Sequence, residues 1–137
     1  MSEFLRFLSL GLIVILNQIL LATDVWAISP DMFLVHTLFF ITFVKKIPNI
    51  YFFIFKGFVI DLFFSNISMP YTISYTLIGL YLNFSNLKWI QRSLLEQILL
   101  IILVSLLLNI ILFSTNDFAS GMGVRIFINP LLNSIIW

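Results

Sequence analysis

The sequence predicts an all-α membrane protein, a bundle of about six transmembrane helices in one domain, and three observations predict it. Hydrophobic residues make up 61% of the 137-residue chain and charged residues 9%, against roughly 45–50% and about 25% in an ordinary soluble domain. A soluble fold of this length still leaves about a third of its unfolded surface in water, so this much Phe, Leu and Ile must face hydrocarbon. The apolar residues are also gathered into runs close to the ~20 residues that cross a bilayer core. Finally, most basic residues fall on one side when those runs alternate across a membrane.

Composition closes several functional classes. A net charge of +1 with scattered Lys and Arg gives no nucleic-acid face. The absence of cysteine removes disulfides, thiolate metal sites and a cysteine nucleophile. No linker or repeat divides the chain, so residues 1–137 read as one helical domain.

The first span, 4–23, is interrupted by Arg6 and by Asn17 and Gln18, and Asp24 ends it. Val25-Trp26-Ala27 faintly resembles a signal-peptide cleavage site. The apolar run exceeds the ~7–15 residues of a signal core, however, and Glu3 offsets Arg6, so a retained helix is the reading. The second span, 29–44, opens on Ser29-Pro30-Asp31: Ser29 can cap, Pro30 fits the first turn and Asp31 favours the positive helix end. It stops at Lys45-Lys46. The third, 48–65, carries Lys56 and Asp61. The fourth, 69–84, starts at Met69-Pro70 and is shorter than a full span, completed by Ile67 or Leu87. The fifth, 94–113, is mostly Leu and Ile and gives the strongest signal. The sixth, 124–137, holds Arg125 and Pro130 and is too short to cross unaided, so it reads as an incomplete last helix or a short re-entrant or interfacial piece.

Sidedness follows from the short loops. Arg6, Lys45, Lys46, Lys88 and Arg92 share one side, which is therefore cytoplasmic, with the N-terminus. Arg125 stands alone on the other side, with Asp24, Asp31 and Asp117. Trp26, Trp89, Trp137, Tyr51, Tyr71 and Tyr81 lie near span ends and read as an aromatic belt.

The polar residues inside the spans are the candidate functional groups. Lys56 lies near mid-span, roughly 12 Å from either interface, where a charge costs about 2.5–3.5 kcal/mol. It should seek a partner among Asn17, Gln18 and Asn109. Asp61, five residues on and about 140° around the helix, is a poor partner and is expected at the external interface. Such a lysine reads first as a buried contact that fixes packing and second as part of an ion or substrate relay. Gln97, Ser105 and Asn109 recur at multiples of four and form a stripe that glues helices together. His36, the single histidine, reads as a hydrogen-bonded structural residue, since no ligand neighbours accompany it. No phosphate loop, nucleophile elbow or carboxylate pair is present, so no catalytic residue, metal or cofactor is expected and the chain reads as a non-enzyme.

Two motifs carry a family resemblance. Ser29-Pro30-Asp31-Met32 opens the second span, and Gly57-Phe58-Val59-Ile60-Asp61-Leu62 runs through the third just before an external turn. With Gln97 at the start of the fifth span and Asn133 and Trp137 near the end, the chain resembles, over roughly residues 5–137, the rod shape-determining protein MreD family. Phe53 stands where that family often has a small residue. The resemblance implies a non-enzymatic inner-membrane scaffold of the bacterial cell-wall elongation complex, binding MreC and working with MreB, RodA and a class B penicillin-binding protein in lateral peptidoglycan synthesis. It implies a fold like the substrate-binding subunits of energy-coupling-factor transporters, with an outward-opening pocket. It also implies that Pro30, Asp31, Gly57 and Asp61 are structural or partner-contact residues of the external half. The six short spans with Lys56 and scattered Asn and Gln suggest an alternative, a small-molecule-binding subunit of a transporter.

Overall fold

The computed structural model describes residues 3–23, 25–44, 46–64, 67–85, 87–115 and 121–137, without the side chains of 3–7 and 115. These residues are all-helical. Six α-helices follow one another, α1 (Glu3–Ala22), α2 (Met32–Phe43), α3 (Ile50–Phe63), α4 (Pro70–Ser85), α5 (Leu94–Thr115) and α6 (Met122–Ile136), with 3₁₀ turns at Val25–Ile28 and Trp89–Gln91. Among the described residues one helix, over Leu94–Ser114, is long and apolar enough by itself to cross a bilayer. The 12 residues of α2 and 14 of α3 reach only about 18 and 21 Å at 1.5 Å per residue.

Local chemistry explains the helix ends. Asp31, and not Ser29, caps α2: its Oδ1 accepts from the Leu34 amide at 2.9 Å. Pro30 therefore precedes the helix instead of opening it. A short carboxylate reaches the third amide directly, while the Ser29 hydroxyl turns back to donate to the Trp26 carbonyl at 3.0 Å. Ser93 caps α5 by accepting from the Glu96 amide at 3.3 Å. Pro70 occupies the first position of α4, where its missing N–H costs nothing. The residue before it, Met69, has a positive φ of 48° and no capping side chain. Asp61 fills that role from the neighbouring helix, its carboxylate accepting from the Tyr71 amide at 3.1 Å and the Thr72 amide at 2.7 Å.

That cross-helix cap needs α3 and α4 in backbone contact, and Gly57 permits it. A Cβ at Gly57 would lie 2.6 Å from the Tyr71 carbonyl oxygen and 2.7 Å from the Thr72 Cα. Gly57 and Asp61 are one turn apart on the same face, so the glycine sets the distance that the carboxylate bridges. One turn earlier, Phe53 is accommodated from the opposite side, because it meets Gly79 on α4, whose added Cβ would fall 2.9 Å from the Phe53 ring.

Polar residues share the interior with apolar ones, and many large apolar side chains lie on the surface. Asn109, Asn129 and Asn133 are fully buried, as are Thr37 and Ser74, while Leu12, Phe43, Phe55, Phe84, Phe127 and Ile135 are exposed. The apolar core proper centres on Phe33, Leu34, Phe53, Tyr75 and Leu108. Two aromatic-belt expectations are corrected: Trp89 and Tyr71 are core residues. The 3₁₀ turn at Trp89–Gln91 folds the Trp89 ring over the bundle end, edge-on to Trp137 with centroids 5.4 Å apart. Tyr51 and Tyr81 do sit on the outer surface.

The sidedness inventory also changes. Arg125, counted above toward sidedness, lies in the first turns of α6, 1% exposed and paired with Asp31. Buried inside the bundle, it says nothing about topology. Lys46 and Lys88 are exposed beside helix ends, whereas Asp24, Lys45 and Asp117 lie outside the described residues, as does the Arg6 side chain. The sixth segment is a continuous helix packed along α5, and it is its polar face that faces the bundle.

Candidate functional site

The largest group of buried polar residues gathers around the start of α2, with members from the first turns of α4, the end of α3 and the lengths of α5 and α6. Asp31 is the hub. Beyond capping α2, its Oδ2 accepts from the Tyr71 hydroxyl at 2.9 Å and lies 3.8 Å from Nη2 of Arg125. Its backbone amide donates to Oδ1 of Asn133 at 2.7 Å. Three helices far apart in sequence are thus tied to a single residue. Asp61 is also buried, held by the first turn of α4 and the Thr72 hydroxyl at 2.7 Å.

Arg125 gathers partners in the same way. Its Nε donates to Oδ1 of Asn109 at 3.1 Å, Nη1 donates to the carbonyls of Trp26 and Ser29, and the guanidinium lies 3.8 Å from the Trp26 ring centroid. The hydrogen bonds on Nε and Nη1 offset part of the cost of desolvating the two charges, which their attraction alone does not repay. Asn129 links Asn109 at 2.9 Å, Asn133 at 3.0 Å and the Ser29 carbonyl at 2.9 Å, and Asn133 donates to the Ser105 hydroxyl at 2.9 Å. The expected glue stripe of the fifth span therefore has a matching stripe on α6, Arg125, Asn129 and Asn133. The four-residue spacing was readable in the sequence, but no feature of the sequence pairs the two stripes. Tyr71 and the Ser29 carbonyl carried no such signal.

Gln97 works at the opposite end. Its Oε1 accepts from the Trp137 indole at 2.6 Å and its Nε2 donates to the Trp89 and Arg92 carbonyls. Arg92, also buried, stacks 4.2 Å from the Tyr81 ring centroid and donates to carbonyls at the end of α4 and to the Ser85 hydroxyl, where a cation meets the negative helix terminus.

A third cluster joins α1, α2 and α3. Lys56 does not reach Asn17, Gln18 or Asn109. Its Nζ lies 3.2 Å from Nδ1 of His36, whose Nε2 lies 3.1 Å from Oγ of Ser9. Burial explains the choice, since Asn109 is occupied by Arg125 and Asn129 and Gln18 faces outward. Two cations at that separation would repel by about 5 kcal/mol at an effective dielectric of ~20. Asn17 is buried in α1.

Chemically, the carboxylates, amides and guanidinium of the main cluster are spent on one another. A cleft of about 360 Å³ lined by Leu77, Tyr81, Glu96, Leu99, Leu100 and Leu103 lies instead on the apolar outside of α4 and α5. No family model, curated protein or solved structure matches the chain.

Proposed function

We propose that the protein is a multi-span inner-membrane scaffold of the MreD type, holding an MreC-like protein in the bacterial cell-wall elongation complex with MreB, RodA and a class B penicillin-binding protein, and carrying out no catalysis itself. The membrane part is supported by the burial pattern: amides and an ion pair inside, and many large Phe, Leu and Ile side chains on the outer surface, an arrangement suited to hydrocarbon surroundings. Helices of 12 to 16 residues cross a ~30 Å core when loops and the 3₁₀ turns complete them or the bilayer thins.

The scaffold part is carried by one observation. The two motif carboxylates, Asp31 and Asp61, converge on Tyr71, one accepting from its hydroxyl and the other from its amide. Residues that the resemblance singles out separately thus form one rigid joint, which supports reading Pro30, Asp31, Gly57 and Asp61 as the framework of the external half and not as a reactive centre. Such a joint holds α2, α3 and α4 in fixed register and leaves the apolar flanks to partners within the membrane.

Purification in mild detergent is expected to bring down a single-span MreC-like protein, and cells without the gene are expected to round up. Normal rods with normal lateral wall insertion would sink the proposal. Recovery of the folded chain from the aqueous supernatant after high-speed centrifugation would remove its membrane basis. A tightly retained small molecule, found by mass spectrometry of the purified protein, would turn the reading toward a transporter binding subunit.

A further inference from the structure

The Lys56, His36 and Ser9 cluster is separate from the Asp31 network and has no role in the scaffold reading. We infer that Lys56 and His36 form a single proton-binding site inside the membrane, one proton shared between two basic nitrogens, with Ser9 fixing the imidazole tautomer.

The argument is one of donors and acceptors. Nζ of Lys56 and Nδ1 of His36 lie 3.2 Å apart, so one nitrogen must offer a hydrogen and the other a lone pair. An ammonium facing an imidazolium has two donors and no acceptor, and the contact cannot form. The pair therefore holds a single shared proton in its charged state. With the amine charged, Nδ1 accepts from it, and the ring hydrogen sits on Nε2 and donates to Oγ of Ser9 at 3.1 Å. Transfer breaks one Nζ–H bond and makes one Nδ1–H bond. The charge moves from ammonium to imidazolium and nothing else is consumed.

The surroundings isolate this site. Among the described residues no carboxylate pairs with Lys56, and the Phe40 ring lies 5.6 Å from its Nζ. Titratable groups on neighbouring elements are directed elsewhere: Asp31 pairs with Arg125, Tyr71 donates to Asp31, Asp61 accepts from the first turn of α4, and Tyr75 accepts from the Thr37 hydroxyl. The side chains of Glu3 and Arg6 on α1 are outside the described set. Arg125 is held by a carboxylate, whereas Lys56 is held by a second base. A pair of bases sharing hydrogen-bonding reach is instead able to gain or lose one charge without leaving its partner.

The test uses the full chain in lipid nanodiscs, labelled with ¹⁵N at the histidine ring and the lysine side chains. His36 is the only histidine, so its ring signals need no residue assignment, and their couplings to the ring carbons and protons tell Nδ1 from Nε2. At neutral pH, Nδ1 is expected unprotonated and Nε2 protonated. In Lys56→Met, His36 is expected to become cationic at a proton concentration at least tenfold lower than in the wild type, whereas an identical titration in both proteins overturns the inference. If Lys56→Met does not fold, the wild type alone decides: a folded state in which Lys56 and His36 are both cationic overturns it, and mutual exclusion of the two charges supports it.

Discussion

The two terminal helices make an instructive contrast. In the sequence the first segment reads as a full span, and the sixth, with an arginine, two asparagines and a proline, as too short to cross unaided. In the bundle the ranking reverses. α6 lies along α5 and buries Arg125, Asn129, Pro130 and Asn133, while α1 exposes Leu8, Leu12, Ile15, Leu16 and Ile19 and touches the rest mainly through Ile13, Val14, Asn17 and the turn at Val25–Ile28. Hydropathy measures how well a segment partitions into lipid. Attachment to the other helices comes from shape and from polar groups that lipid cannot satisfy, because lipid competes fully for apolar contacts and not at all for hydrogen bonds.

The contrast breaks most visibly at Arg125. Arg125→Ala strands Asp31 as an unpaired buried charge and is expected to cost about 3–5 kcal/mol. Thermal unfolding in detergent measures it, and the double variant Arg125→Ala with Asp31→Asn should lose less than the single one. A wild-type unfolding temperature for Arg125→Ala would mean that α6 is not bolted by this pair.

Between the extremes lies the joint of α3 and α4. Gly57→Leu drives a side chain into the Tyr71 and Thr72 backbone, with an expected cost of about 1–3 kcal/mol. Cysteine cross-linking between the two helices should weaken in parallel. Asp61→Ala removes the cap of α4 and should cost roughly 1–2 kcal/mol. Asp61→Asn, which keeps one acceptor oxygen, should cost less, and equal losses for the two would show that capping is not what Asp61 contributes.

The smallest effects belong to α1. Leu12→Ala and Ile15→Ala alter exposed side chains and should shift stability by no more than about 0.5 kcal/mol. Gly11→Ala, where an added Cβ meets nothing within 4 Å, should be neutral or gain up to about 1 kcal/mol from helix propensity. A large loss at any of these positions would mean that α1 is seated as firmly as α6.

Much of the helical framework was legible in the residues. Apolar runs, Pro70 at a helix start and the carboxylate at Asp31 each act over a few neighbouring positions, and short-range sterics and capping are written locally. The polar stripe of α5 was legible for the same reason, as a four-residue period. Its partners were not. Arg125 was legible as a charge in the sixth segment, but a sequence does not show that Asp31, 94 positions earlier, closes over it. Lys56 likewise had several polar residues within its possible reach, and only the crossing of α2 and α3 selected His36.

The sequence by itself determined that this chain is helical, apolar on most of its surface and punctuated by a few costly polar groups, since composition and local periodicity fix those properties before any long-range contact forms. Only the tertiary structure decided which polar groups share a burial. Hydrogen bonds and ion pairs depend on distances of a few ångströms between helices, and those distances come from how the bundle packs, down to a glycine that lets two backbones touch.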